Sequence, residues 1–327
     1  MSGTTTAIGV VGAVSPITRR VRAYFAPVNR GAGLPTVFDA AQTGSFLLDA
    51  PPSPWVDLGW CSGFVRKSAS KVGALTTGAP ATVQSQVRTQ VEATVQLEFE
   101  SWGKLQLALA AGSQQMNLLQ TSAGATPNGS GGAAASAVSL GAGSTATSLN
   151  VGGASSQFQV GALVAVDRDY VAQTGFVGSG VSAAYVSSPA AVNGDINYIR
   201  RVTLNVGRVV AIGAGTLQLG APLLAGAPPS GMQVSSVLGF VDREGGSFFQ
   251  EWSGLFVMDG EQGDRVLYHY PRLQAMQGAA EMVEVLAGPL ERVKLAGAFR
   301  ALPVKDLNDG ETVLCFRSYL PAPMRAV

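Results

Sequence analysis

Histidine is almost absent from this chain. His269 is the only one in 327 residues, and cysteine occurs only at 61 and 315. One histidine cannot build a multi-histidine metal site, and no close cysteine pair stands in for the missing ligands. No metal and no cofactor is therefore expected. His269 lies in the strand-like run Arg265-Val266-Leu267-Tyr268-His269-Tyr270 and is read as structural, and the two cysteines as buried free thiols that fit a reducing cytoplasm. Charge is scarce too: 13% of residues are charged and the net charge is +1, which leaves no basic footprint for tight nucleic-acid binding and no polybasic membrane anchor. No stretch approaches the ~20 uninterrupted apolar residues that a spanning helix needs, so no membrane insertion is expected. The N-terminal MSGTTTAIGVVGAVSPITRR has a short apolar part without basic residues in front, and reads as mature protein rather than a secretory signal.

Catalytic signatures are missing as well. Nothing matches GxxxxGK[ST], HExxH or GxSxG, and Gly141-Ala142-Gly143 is followed by Ser and Thr with no lysine to meet a phosphate. The 21 Asp and Glu residues form no paired constellation suited to a hydrolase. Asp167-Arg168-Asp169 reads as a strand end, and Asp242-Arg243-Glu244-Gly245-Gly246 as a turn without EF-hand spacing. No catalytic residue is assigned, and the chain is not expected to be an enzyme.

What the chain does contain is alternation. From 83 to 99 the odd positions read Val83, Ser85, Val87, Thr89, Val91, Ala93, Val95, Leu97, Phe99. The even positions read Gln84, Gln86, Arg88, Gln90, Glu92, Thr94, Gln96, Glu98. A period of two puts one set on each face of a strand of roughly 55 Å, far beyond the usual length of about six residues, and excludes a helix. Gly63 to Lys71 is a polar strand before it. The segment 72–81, with Val72, Gly73, Leu75, Thr77, Gly78 and Pro80, is predicted as the tip of one long hairpin. After it, Ser101 is placed to cap a helix that carries Trp102, Leu105 and Leu109 and ends at Gly112. That helix is expected to pack on the back of the hairpin.

Chain length suggests about two domains. Residues 1 to about 23 read as an extended arm, and 24–60, with Tyr24, Phe25, Phe38, Phe46, Trp55 and Trp60, as loop and short strand. Residues 121–148 contain no charge and are rich in Gly, Ala, Ser and Thr. Short β-like runs follow at 160–166, 202–210 and 216–219, punctuated by Gly and Pro. Longer strands return after 247, where 313–319 looks covered on both faces. The expected fold is mainly β. A discontinuous β-sandwich or barrel domain covers 1–122 and 245–327, with the long hairpin and one packed helix. A Gly/Ala/Ser linker covers 123–148, and an inserted small β-barrel or sandwich covers 149–244.

A hairpin this long has long edges of unpaired N–H and C=O groups, which sister chains can satisfy by closing a shared barrel. Lys71-Val72-Gly73-Ala74-Leu75-Thr76-Thr77-Gly78-Ala79, then Gln84-Ser85-Gln86-Val87-Arg88-Thr89-Gln90-Val91-Glu92-Ala93, then Trp102-Gly103-Lys104-Leu105-Gln106 resemble the hairpin, lumen strand and following helix of bacteriophage tail tube proteins. The resemblance covers roughly 55–120 and, more faintly, 247–320. It implies a virion structural protein, assembled in the bacterial host cytoplasm, whose homohexameric rings stack into the hollow tail that ejects DNA. Its partners would be further copies of itself, a tape measure protein and tail terminator or baseplate proteins, with DNA passing transiently and non-specifically. Each subunit would lend about four strands; 24 strands at ~4.8 Å spacing and ~40° tilt give a backbone diameter of roughly 48 Å, enough for duplex DNA. The resemblance places Gln84, Gln86, Arg88, Gln90, Glu92, Thr94, Gln96 and Glu98 on the lumen wall, and the hairpin tip against the neighbouring ring. A wall rich in Gln, with Arg88 offset by Glu92 and Glu98, would hold DNA weakly, because DNA affinity comes largely from Lys and Arg.

A different class of function is a β-rich binding module of a virion or cell surface, with the insertion recognising carbohydrate. The aromatics available there for a sugar platform are Phe158, Tyr170, Phe176, Tyr185, Tyr198 and Phe240, with no Trp.

Overall fold

The computed structural model describes residues 20–28, 35–52, 54–120, 136–167, 206–223, 226–228, 231–243, 251–260, 263–276, 280–285 and 291–321. In chain order the first elements are β1 (Val21–Pro27), α1 (Ala40–Thr43), β2 (Val56–Thr77), β3 (Thr82–Phe99) and α2 (Lys104–Ala111). There follow β4 (Gln114–Leu119), β5 (Val138–Ser139), β6 (Ser148–Asn150), β7 (Leu163–Asp167), β8 (Val206–Ile212), β9 (Thr216–Leu219) and β10 (Gln233–Arg243). The last are β11 (Glu251–Asp259), β12 (Arg265–Ala275), β13 (Ala280–Val285), β14 (Glu291–Ala301), β15 (Val304–Lys305), β16 (Thr312–Val313) and β17 (Phe316–Leu320). The fold is mainly β, as expected.

The first sheet runs β13-β14-β3-β2-β1-β11-β12-β17. Because β12 also pairs with β14, through Leu273↔Ala301 to Ala275↔Phe299, the strands β14, β3, β2, β1, β11 and β12 close on themselves as an antiparallel barrel. Alternation fills it. Phe25 of β1, Val95, Leu97 and Phe99 of β3, Trp252 and Phe256 of β11, and Phe299 of β14 turn inward and are buried together. Leu105 and Leu109 of α2 join this core. The opposite face of β1, β11 and β12 is not left to solvent. Tyr24, Leu255, Val257 and Leu267 pack beneath Phe38, Phe46, Leu48 and Trp55 of the segment before β2, and the Tyr24 hydroxyl donates to the Leu48 carbonyl at 2.7 Å.

Residues 21–27 are therefore a central strand rather than the end of an arm, and Tyr24 and Phe25 are core rather than loop. Both faces of β1 are apolar because both are covered, so it shows no contrast of period two. Residues 1–19 of the expected arm lie outside the described residues. The expectation for 313–319 is also corrected. Leu314 and Cys315 separate β16 from β17, and β17 is an edge strand, paired only to β12, with Arg317 and Tyr319 exposed.

The helix starts later than expected. The Glu100 amide still donates to the Trp60 carbonyl at 3.0 Å, so the chain leaves the sheet only there. Gly103, not Ser101, is the N-cap, and it has no side-chain cap bond; Trp102 precedes the helix and is exposed, its ring 6.1 Å from that of Phe240. Gly112 ends the helix as predicted, at φ 65°, the left-handed conformation that glycine adopts without strain.

The second sheet runs β4-β10-β7-β8-β9-β6, with β5 also on β10. Leu149, Phe158, Val164, Val166, Val209, Leu217, Leu219 and Val234 form its core. Of the expected 123–148 linker, 123–135 lies outside the described residues. The rest belongs to this sheet, since Val138 pairs with Val234 and Ser148 with Gln218. Asp242 and Arg243 are not a turn but the end of β10, opposite Gln115 and Gln114 of β4. Thus β4, from the N-terminal segment, pairs with a strand of the insertion. Residues 168, 169, 202–205 and 244–246 lie outside the described residues.

His269 sits on the outer side of the barrel, 3% exposed, its ring 5.7 Å from Trp55, 5.8 Å from Phe316 and 6.5 Å from Phe38. Burial lowers its pKa from 6.5 to about 4. The unfolded chain takes up this proton below 6.5 and the folded chain only near 4. Folding stability therefore loses about 3 kcal/mol as pH falls through that window, and nothing from this group above it. His269→Phe is expected to abolish the loss. Measured by urea unfolding, the variant should gain about 3 kcal/mol on the wild type between roughly pH 7 and pH 4.

Candidate functional site: the projecting hairpin

β2 has 22 residues and β3 has 18. Only the base of the pair belongs to the barrel. β1 accompanies β2 from Val56 to Cys61, and β14 accompanies β3 from Thr94 to Phe99. From Val65 to Thr77 and from Thr82 to Ala93 the two strands pair with each other and, among the described residues, with no third strand. At ~3.3 Å per residue this is a ribbon projecting roughly 40 Å.

The hairpin is longer than expected and its turn smaller. Val72, Gly73, Leu75 and Thr77 are not in the tip but in β2, opposite Arg88, Val87, Ser85 and Thr82. The turn is 78–81, where Gly78 has φ 95° and Ala79-Pro80 is cis. Gly73 has an ordinary negative-φ backbone, so it does not mark a turn; the β-branched Val and Thr around it favour the strand. Of the six expected tip residues, Gly78 and Pro80 remain there.

Near the barrel the two faces separate as the alternation implies; farther out both sets of residues are exposed. Near the base, Ala93, Val95, Leu97 and Phe99 are buried against the barrel's own core, with α2 adding only part of the cover. Farther out nothing covers the same face: Val91 is 50% exposed, Val87 62%, Val83 56%, and Leu75 from the paired strand 60%. Ser85 and Thr89 alternate with these apolar side chains along β3.

Gln84, Gln86, Arg88, Gln90 and Gln96 are exposed, and Glu92, Thr94 and Glu98 half-buried; from 92 to 98 these residues lie on the face away from the barrel core, and beyond Gln90 the register shifts between Lys71 and Val72 and between Leu75 and Thr76 interrupt the alternation. Cross-strand register adds residues to this face that β3 alone does not reveal. Lys71 lies opposite Gln90, and Lys67 opposite Thr94. On the other side of β3, Arg300 lies opposite Thr94 and Ala296 opposite Glu98. Lys294 reaches Glu98 at 3.4 Å, and Arg300 reaches Glu92 at 3.1 Å. The face therefore carries Lys67, Lys71, Arg88, Lys294 and Arg300 against Glu92 and Glu98, and the near-neutral balance expected from β3 is corrected to an excess of cations. Lys67, Lys71 and Arg88 have no ion-pair partner among the described residues.

The described residues contain no group of three or more His, Cys, Asp and Glu able to hold a metal ion. Burial raises the Cys61 thiol to about 12, which leaves it unreactive near neutral pH. A cavity of about 620 Å³ lies where β3 parts from β14, between Arg88–Glu92 and the segment from Arg300 to Leu314. Of the insertion's aromatics, Phe158 is buried in the core and Phe240 faces Trp102; Tyr170, Phe176, Tyr185 and Tyr198 lie outside the described residues. Comparison of the sequence with protein families and with curated proteins finds no match.

The contrast between base and projection is measurable. Leu97→Ala should destabilise the isolated chain by about 3 kcal/mol, since it opens a cavity in the barrel. Val87→Ser, on the same face ten residues away, should change urea-unfolding stability by less than about 0.5 kcal/mol.

Proposed function

We propose that the chain is a structural subunit of a bacteriophage-type tail tube, in which copies close into rings that stack around a channel for DNA. One observation carries the reading: over roughly 35 Å, from 67 to 77 and from 82 to 91, a two-stranded ribbon is exposed on both faces and, among the described residues, has no strand on either outer edge. An isolated two-stranded hairpin is at best marginally stable in water, and open edges with an apolar strip invite pairing with another chain.

Topology supports closure by identical copies. β13, β14, β3 and β2 form a four-stranded unit, matching the number each subunit would lend. β13 and β3 run the same way, both antiparallel to β14, and β2 runs opposite to them. A second copy set beside the first, β2 against β13, therefore continues the sheet antiparallel throughout. Six such copies would enclose a channel with the Gln-bearing face inward. The apolar strip of Leu75, Val83, Val87 and Val91 would then lie outward, against neighbouring subunits. The tape measure protein, the terminator or baseplate proteins and the passing DNA would be this tube's partners, and the virion tail its location.

Negative-stain imaging of the purified chain tests the reading. Rings or hollow rods are expected, and a protein that sediments as a monomer at every concentration ends it. The projecting end has its own test. Exchange of residues 76–84 for a two-residue Asn-Gly turn, which joins the paired Leu75 and Ser85, should leave rings but no rods. Rods of normal length from that variant would remove the tip from the contact between rings.

A further inference from the structure

We infer that the projecting ribbon accepts a second copy of the chain on one margin alone: the outer edge of β2 is open to a neighbour's strand, and the outer edge of β3 is closed to it by two unpaired residues, Gln84 and Thr89. The inference rests on the ring reading above and adds to it which edge of the hairpin receives the neighbour.

The two strands of the ribbon are not equivalent. From 65 to 77 every residue of β2 has a partner in β3. Over the same length β3 holds two residues in excess. Thr89 is passed over between Lys71↔Gln90 and Val72↔Arg88, and Gln84 between Leu75↔Ser85 and Thr76↔Val83. Each is a bulge, two residues facing one. Side chains fasten both. The Thr89 hydroxyl donates to the Lys71 carbonyl at 3.3 Å, and the Gln84 amide donates to the Thr82 hydroxyl at 3.1 Å.

A bulge bends its strand, sharpens the local twist and breaks the even row of N–H and C=O groups, which is one way proteins blunt an edge. On β3 it leaves 85–88 as the longest regular stretch outward of Thr89, shorter than an ordinary strand of about six residues. Toward the base, 88–92 look across the cavity of about 620 Å³ to 300–303, Thr312 and Leu314, and Arg300 is paired with Glu92 at 3.1 Å. β14 itself follows β3 only as far as Thr94.

β2 has its irregularity elsewhere. Gly63 and Phe64 are passed over between Ser62↔Glu98 and Val65↔Gln96, just past Cys61, the last residue of β2 paired with β1. That interruption separates the half of β2 that β1 covers from the half left open, and beyond it the edge is regular up to the turn. Lys67 and Lys71 lie on the open half; lysines on an edge hinder indiscriminate pairing but leave the backbone row unbroken.

The difference sets the number of neighbours. The four-stranded unit presents β13 at one margin and β2 at the other, and head-to-tail pairing through two such margins closes into a ring. A regular outer edge on β3 would add a third site, and subunits with three sites build branched aggregates instead of rings.

Hydrogen exchange and a deletion test the choice of edge. In purified rings, exchange read by mass spectrometry should be slower than in the dilute unassembled chain by about tenfold or more within 65–77, and by less than about twofold within 82–91. Deleting Gln84 and Thr89 together leaves one residue of β3 for each of β2. The deletion should lower the yield of rings about tenfold in favour of large irregular aggregates, seen by sedimentation and negative-stain imaging. Thermal unfolding checks that this variant is folded. Rings with no slowing within 65–77, or with equal slowing within 82–91, would overturn the choice of edge and leave the ring. So would a folded deletion variant that gives rings in wild-type yield. A wild type that forms no rings would overturn both.

Discussion

Backbone N–H and C=O groups need partners, and from Val65 to Thr77 and Thr82 to Ala93 the chain supplies them on one side of each strand only. Everything outside the barrel depends on that constraint. Within the barrel, closure of β12 on β14 removes the edges, and Phe25, Trp252, Phe256 and Phe299 fill the space it encloses. The hairpin draws its stability from this base: Ala93, Val95, Leu97 and Phe99 are held in the core, and beyond Val91 the two strands pair, among the described residues, only with each other. A rigid foot with an unsupported extension is wasteful in a solitary molecule. It is economical when the extension is half of an interface, because the foot fixes its direction before a neighbour arrives.

The long strand was legible because its two environments differ sharply. One face holds Val, Ala, Leu and Phe toward a core, the other holds Gln and Glu toward water, so period two stands out. Where both faces meet apolar neighbours, the same signal vanishes, and the sequence over β1 reads as the end of an arm followed by loop and short strand. The turn was drawn too wide because Gly73 and Gly78 look alike in sequence, though only Gly78 takes the positive φ that a turn requires. The polar face was read from β3 alone. Lys67 and Lys71 join it through a register that depends on irregularities between Ser62 and Val65 and between Lys71 and Val72, and no local pattern reports where an extra residue is absorbed. The barrel closure joins residues near 273 to residues near 301 across the β13–β14 hairpin, again without a local signal.

The insertion follows from the same physics on a smaller scale. Leu149, Phe158, Val164 and Leu217 suffice for a core under short strands. The sheet does not stand apart from the chain before it, because β10 extends past its own neighbours to pair with β4. That pairing, together with the Trp102 and Phe240 rings beside it, ties the insertion to the segment that follows α2. A composition of Gly, Ala and Ser is compatible with such a join, since a linker and a tight β-turn draw on the same residues; strand pairing, not composition, separates them at Val138 and Ser148.

Charge links the edge to the channel. Taken alone, the polar face has too many cations for a surface meant to release DNA, because phosphate affinity scales with the Lys and Arg presented. The excess is not spread evenly. Glu98 and Glu92 answer Lys294 and Arg300 within the subunit, whereas Lys67 and Lys71 stand on the strand whose outer edge is bare. In the proposed ring a neighbour's strand would cover the backbone of that edge and leave the side chains of Lys67 and Lys71 on the face that carries Gln90. Arg88 is flanked along β3 by Gln86 and Gln90, whose amides add hydrogen-bonding capacity but no charge. Cations spaced among amides present a polyanion with less positive charge per unit area than a basic stripe would, and a conduit of this kind would owe its low adhesion to that dilution.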